Sequence, residues 1–100
     1  MKLDFTLETS AGTRALQVDV QQLVIAGWAG RNREAIEHHI EELAAIGVPR
    51  PSAVPLYYRV AANQLTQETQ VQVVGDGSSG EAEVFVFAVG GEMYLSVASD

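Results

Sequence analysis

The chain has 100 residues, enough for one domain with a core that is thin for its surface. Apolar residues make up 47% of it, too many for a disordered segment, and no run of about 18 apolar residues is present to span a membrane. Cysteine is absent and the net charge is −7 with scattered Lys and Arg, which excludes disulfides and thiolate metal sites and argues against nucleic acid as a partner.

The N-terminus, Met1-Lys2-Leu3-Asp4-Phe5, has an early acid and no long apolar stretch, so it is not a secretory signal, and a cytoplasmic protein is expected. Leu3–Leu7 and Ala15–Val20 alternate apolar and polar around the turn residues Thr9-Ser10-Ala11-Gly12-Thr13, which predicts an N-terminal hairpin within residues 1–22. Leu23–Trp28 is a short apolar stretch and reads as a buried strand. Asn32 is a good N-cap with Glu34 in the first turn. Ile36, Ile40 and Leu43 follow at helical spacing, and Gly47 stands where a left-handed C-terminal residue is expected. These signals predict a helix over about 33–46.

Pro49–Pro55 is read as an extended linker, Leu56–Val60 as a strand, Ala61–Thr66 as a turn or single helical turn, and Gln70–Val74 as an alternating strand. Asp76-Gly77-Ser78-Ser79-Gly80 is a loop by composition. Glu81–Val89 and Glu92–Ala98 are strands joined by Gly90-Gly91, a strong two-residue hairpin signal. The fold class is α+β, mostly antiparallel, with one main helix.

Two clusters could carry chemistry. At about 100° per residue, His39 falls roughly 45° and Glu42 roughly 105° from the centre of the helix's apolar stripe, while His38 and Glu41 fall nearly opposite it. His39 and Glu42 are therefore expected to share the border of the buried face. A carboxylate three residues from an imidazole orients it for general acid/base work. The same spacing also describes a border histidine beside a solvated acid. In the second cluster, Glu81 and Glu83 project from one face of a strand. The apolar run Val84–Val89 suggests that this strand enters a core, where unpaired carboxylates are costly. A hard divalent cation would relieve that cost; acids at a wet strand mouth would not need one. Arg59 is either an edge-strand charge or an anchor for a substrate carboxylate. Trp28 lines a pocket or belongs to the core.

In order and spacing, these elements resemble the fumarylacetoacetate hydrolase superfamily from about Leu23 to Asp100. The resemblance rests on Val24-Ile25-Ala26-Gly27, His39-Ile40-Glu41-Glu42, Pro49–Pro55, Leu56-Tyr57-Tyr58-Arg59, Glu81-Ala82-Glu83 and Asp100. The wording Glu37-His38-His39-Ile40-Glu41-Glu42-Leu43 and Pro49-Arg50-Pro51 is most similar to a bacterial branch of about twice this length known as a domain of unknown function. The resemblance implies a partial β-roll over residues 23–100, with Glu81, Glu83 and Asp100 ligating Mg²⁺ or Mn²⁺. It implies that His39, oriented by Glu42, activates water or moves a proton. Arg59 stands where the superfamily has a lysine, and Arg31-Asn32-Arg33 replaces its usual Asn-Tyr.

The resemblance further implies hydrolysis, hydration or decarboxylation of small oxo-acids whose oxygens chelate the metal, with an enolate stabilised by it. Superfamily members continue well past the aspartate, so the chain is expected to be a fragment, one piece of a split protein or a truncated relative. The expected partner is a second copy or a complementing chain. The competing reading is a non-catalytic interaction or oligomerisation module that pairs through exposed sheet edges at Glu92–Ala98.

Overall fold

The computed structural model describes residues 1–100, whose elements are six strands, one α-helix and one 3₁₀ turn. The strands form three two-stranded sheets, so the fold is α+β with antiparallel pairing. The chain divides into two compact units: Met1 with Asp19–Leu65, and Lys2–Val18 with Thr66–Asp100.

In the first unit, β3 (Leu23–Gly27) pairs antiparallel with β4 (Leu56–Val60), Leu23 facing Val60 and Gly27 facing Leu56. The expectation that β3 is buried throughout is corrected. Leu23 is buried, but Val24 and Ala26 are exposed, because a two-stranded sheet covered on one face alternates rather than sinking whole. The helix, α1 (Arg33–Ala45), starts where Asn32 predicts. The Asn32 side chain accepts a hydrogen bond from the Ala35 amide at 3.1 Å, which satisfies one of the donors a helix start leaves free. Gly47 follows the helix with φ +94°, a conformation that costs a Cβ-bearing residue strain. Ile40 is the most deeply buried side chain of the molecule. Residues 49–55 run as an irregular linker, tied to α1 by Arg50, whose guanidinium donates to Glu37 at 2.8 Å. A 3₁₀ turn, Ala62–Gln64, ends this unit where a single helical turn was expected.

In the second unit, β1 (Lys2–Thr9) and β2 (Gly12–Asp19) form the N-terminal hairpin, turning at Ser10-Ala11. Alternation along β1 and β2 places Leu3 and Val18 in the core. The Thr9 hydroxyl steadies the turn by accepting from the Ala11 amide and donating to the Gly12 carbonyl, both at 3.2 Å. The second hairpin is β5 (Ala82–Val89) and β6 (Glu92–Ser99). Gly90 and Gly91 have φ +58° and +83°, and left-handed values at both turn positions are what a tight hairpin of matching twist needs. Phe5 stacks on Phe87 at 4.6 Å between ring centroids, and Phe87 on Tyr94 at 5.4 Å, so one face of β5–β6 is filled with aromatic rings.

The strand expected over 70–74 does not form. Its alternation is real, but no partner strand lies beside it, and an unpaired strand has nowhere to place its backbone hydrogen bonds except water. Val71, Val73 and Val74 are accordingly exposed.

Candidate functional site

The Gly-Gly turn sets the register of the second hairpin. With Val89 facing Glu92, pairing proceeds outward to Glu83 facing Ala98 and Ala82 facing Ser99. One step further, Glu81 and Asp100 exchange both backbone hydrogen bonds at 3.3 Å. Directly paired residues share a sheet face, and so do residues two apart on one strand. Glu81, Glu83 and Asp100 therefore converge on one face, and an oxygen from each lies within 4.8 Å of the others. Gly80 permits a close approach here, since a Cβ at this position would meet the Ser99 hydroxyl at 2.8 Å.

All three carboxylates are exposed. This corrects the expectation that the apolar run after them draws the acids into a core: Glu83 has the strand parity of Phe85 and Phe87, but the three acids stand at the open end of the hairpin, before the first of those rings, and Val84 and Val86 on the opposite face are exposed too. Burial therefore does not force a cation onto these acids. Their mutual repulsion favours one, since the ion pairs of the molecule involve Asp19, Glu42 and Glu37 and none reaches this cluster. The donor set is three hard oxygens, the kind Mg²⁺ and Mn²⁺ take. Neighbouring oxygens around Mg²⁺ stand about 3 Å apart, so the side chains need to close by rotation, which exposure leaves them free to do. The residues fit such an ion.

The acid/base residues lie in the first unit. Glu42 is shared by two imidazoles: His38 Nε2 is 2.8 Å from its Oε1 and His39 Nδ1 is 3.6 Å from its Oε2. The helical angle predicts that His38 faces water, and it does, at 73% exposure, while still reaching Glu42. His38 and Glu42 are four apart, a spacing that brings side chains together as readily as three, and that signal was available. His39 was expected at the border of the buried face. It is 55% exposed, against 73% for His38, and differs from it in one further contact: the Trp28 ring lies 5.4 Å from the His39 ring, tilted by 50°.

Trp28 holds φ +58°, rare for a bulky residue and strained, in the bend that follows β3. The flanking Gly27, Ala29 and Gly30 are the signal for that irregular backbone. Trp28 thus packs on His39 rather than serving as anonymous core. Arg59 lies on β4 facing Val24, exposed and without an ion-pair partner.

Two kinds of chemistry are available. The carboxylate cluster can hold a hard divalent cation, and the Glu42-bound imidazoles can accept and deliver a proton.

A family model described as "Protein of unknown function (DUF2848)" matches residues 26–100. No curated protein and no solved structure matches the chain.

Proposed function

The chain belongs to the DUF2848 family, and from the two clusters described above, each in its own unit, we propose that it is part or relative of a metal-dependent hydrolase, hydratase or decarboxylase acting on small oxo-acids. The observation that carries this reading is the convergence of Glu81, Glu83 and Asp100 within 4.8 Å with no cationic side chain to offset them. In this reading the three carboxylates hold Mg²⁺ or Mn²⁺. The ion, when bound, supplies Lewis-acid polarisation of a substrate oxygen. His39 moves a proton, with Glu42 fixing the ring from one side and Trp28 packing against it from another. Arg59 offers a planar, permanently charged anchor for a substrate carboxylate. Membership of the fumarylacetoacetate hydrolase superfamily, a partial β-roll and a cytoplasmic location belong to the same proposal; the order of the motifs supports them, and no helix is long and apolar enough to cross a membrane.

The test is calorimetric titration of Mn²⁺ into the wild-type chain and into Glu81→Ala/Glu83→Ala. Saturable binding to the wild type, weakened at least tenfold in the variant, is expected. Equal affinity in both would remove the metal site and with it the enzymatic reading.

A second reading, a non-catalytic interaction module, is favoured by the unpaired outer edges of β5 and β6, each of which has one hydrogen-bonded neighbour. Such edges are templates for pairing with another chain.

A further inference from the structure

Glu42 stands against the electrostatics of its own helix. It opens the last turn of α1, a turn with no basic residue, and the carbonyl end of a helix disfavours a carboxylate. Its two imidazole partners both precede it in sequence, the weaker order for a pair that serves only to hold a helix together. Helix stability therefore does not account for the grouping of His38, His39 and Glu42.

Their geometry suggests another role. At about 100° per residue, Glu42 lies one turn beyond the two histidines and between them, roughly 40° round the helix from His38 and 60° from His39. A carboxylate has two oxygens, and each ring receives one. Oε1 lies 2.8 Å from His38 Nε2, and Oε2 lies 3.6 Å from His39 Nδ1. Only the first distance is within hydrogen-bonding range. His38 is thus the tight partner and His39 the loose one. No cation competes for this acid: Arg50 is held by Glu37 and the N-terminal amine by Asp19. Glu42 is 58% exposed, and an exposed glutamate without a tight contact turns among its rotamers.

We propose that His38 is a positioning residue that acts on His39 through Glu42. The Nε2–H of His38 donates to Oε1 and fixes the carboxylate, which keeps Oε2 turned toward Nδ1 of His39. A carboxylate only accepts, so the ring nitrogen that faces it is the one that carries the hydrogen. His39 then holds its proton on Nδ1 and its lone pair on Nε2, the nitrogen that Glu42 does not face. Trp28 packs on the same ring and limits its rotation. Two adjacent histidines are thereby set in opposite tautomers, His38 with its proton on Nε2 and His39 with its proton on Nδ1. The inference rests on the acid/base reading of His39 and extends it by one residue.

The test is long-range proton–nitrogen correlation of the imidazoles in the full chain, at a pH about two units above the ordinary histidine value of about 6.5, where both rings are neutral. It reads the ratio of Nδ1–H to Nε2–H in each ring and needs no substrate. In the wild type, His39 should favour Nδ1–H and His38 Nε2–H. His38→Ala should lower the His39 ratio about threefold or more. His38→Gln, whose amide keeps a donor at similar reach, should restore it. His38 is 73% exposed and alanine is the best helix former, so the helix survives both changes, which circular dichroism checks. A wild type in which His39 favours Nε2–H would overturn the inference. So would an unchanged ratio in His38→Ala, or a ratio that His38→Gln does not restore. Glu42→Ala separates this inference from the reading beneath it. If the His39 ratio changes there but not in His38→Ala, only the role of His38 is lost. If Glu42→Ala leaves the ratio unchanged, the His39–Glu42 pair itself fails, and the acid/base reading with it.

Discussion

Glu81 and Asp100 face each other across the β5–β6 ladder, each donating its backbone N–H to the other's carbonyl. Eighteen residues of chain lie between them, yet a two-residue turn between equal strands leaves them no other register. Their carboxylates and that of Glu83 share one face as a consequence.

That convergence predicts opposite stability shifts with and without metal. In a chelator, Glu81→Gln/Glu83→Gln should melt higher than the wild type by roughly 1–4 °C, because neighbouring like charges on a sheet are relieved. In excess Mn²⁺ the order should reverse, since ligand binding to the native state stabilises only the chain that binds it. Thermal melts in both buffers check this; an unchanged order would argue against a metal at this cluster.

Tyr94 donates its hydroxyl to Glu92 at 3.0 Å, and this bond holds the phenol above its ordinary value. Ultraviolet titration should show one tyrosine ionising later than the others, and Glu92→Gln should return it toward about 10. For stability the sign follows from a raised native value. The contribution is fully present below the phenol's unfolded value near 10 and is lost as the pH rises through the higher native one.

Trp28 packs on His39 and not on His38. Its ring current should separate the two imidazoles in the proton spectrum. Trp28→Leu should move the His39 resonances toward those of an unstacked histidine and leave His38 in place. Equal displacement of both would mean that the tryptophan acts on the whole helix rather than on one ring.

Ile40 and Asn32 test the helix from its buried side and its start. Ile40→Ala should destabilise the chain by about 2–5 kcal/mol, since the site is 2% exposed and lies in a small core. Asn32→Ala should cost about 1 kcal/mol through loss of the bond to the Ala35 amide. Denaturant titrations followed by circular dichroism give both values. A cost for Asn32→Ala equal to that of Ile40→Ala would mean that the helix is held by its cap rather than by packing.

Local chemistry is enough to read much of this protein from its residues alone. Asn32 and Gly47 mark the helix ends because the cap bond and the left-handed residue are made within one turn of chain. Gly90-Gly91 marks the hairpin for the same reason, and counting outward from that turn pairs Glu81 with Asp100 before any coordinates are known. The partnership of Glu42 with His38 was equally open to counting, at four residues.

What tertiary structure alone decided was which patterns found a partner. Residues 70–74 alternate as well as β2 does, but a strand exists only if another chain segment offers its hydrogen bonds, and none does. Trp28 met His39 through a left-handed bend that no periodicity announces. Val84–Val89 reads as core, yet half of it lies in water. Burial depends on what stands opposite a face, and a sequence specifies the apolar face without specifying whether this chain or another one covers it.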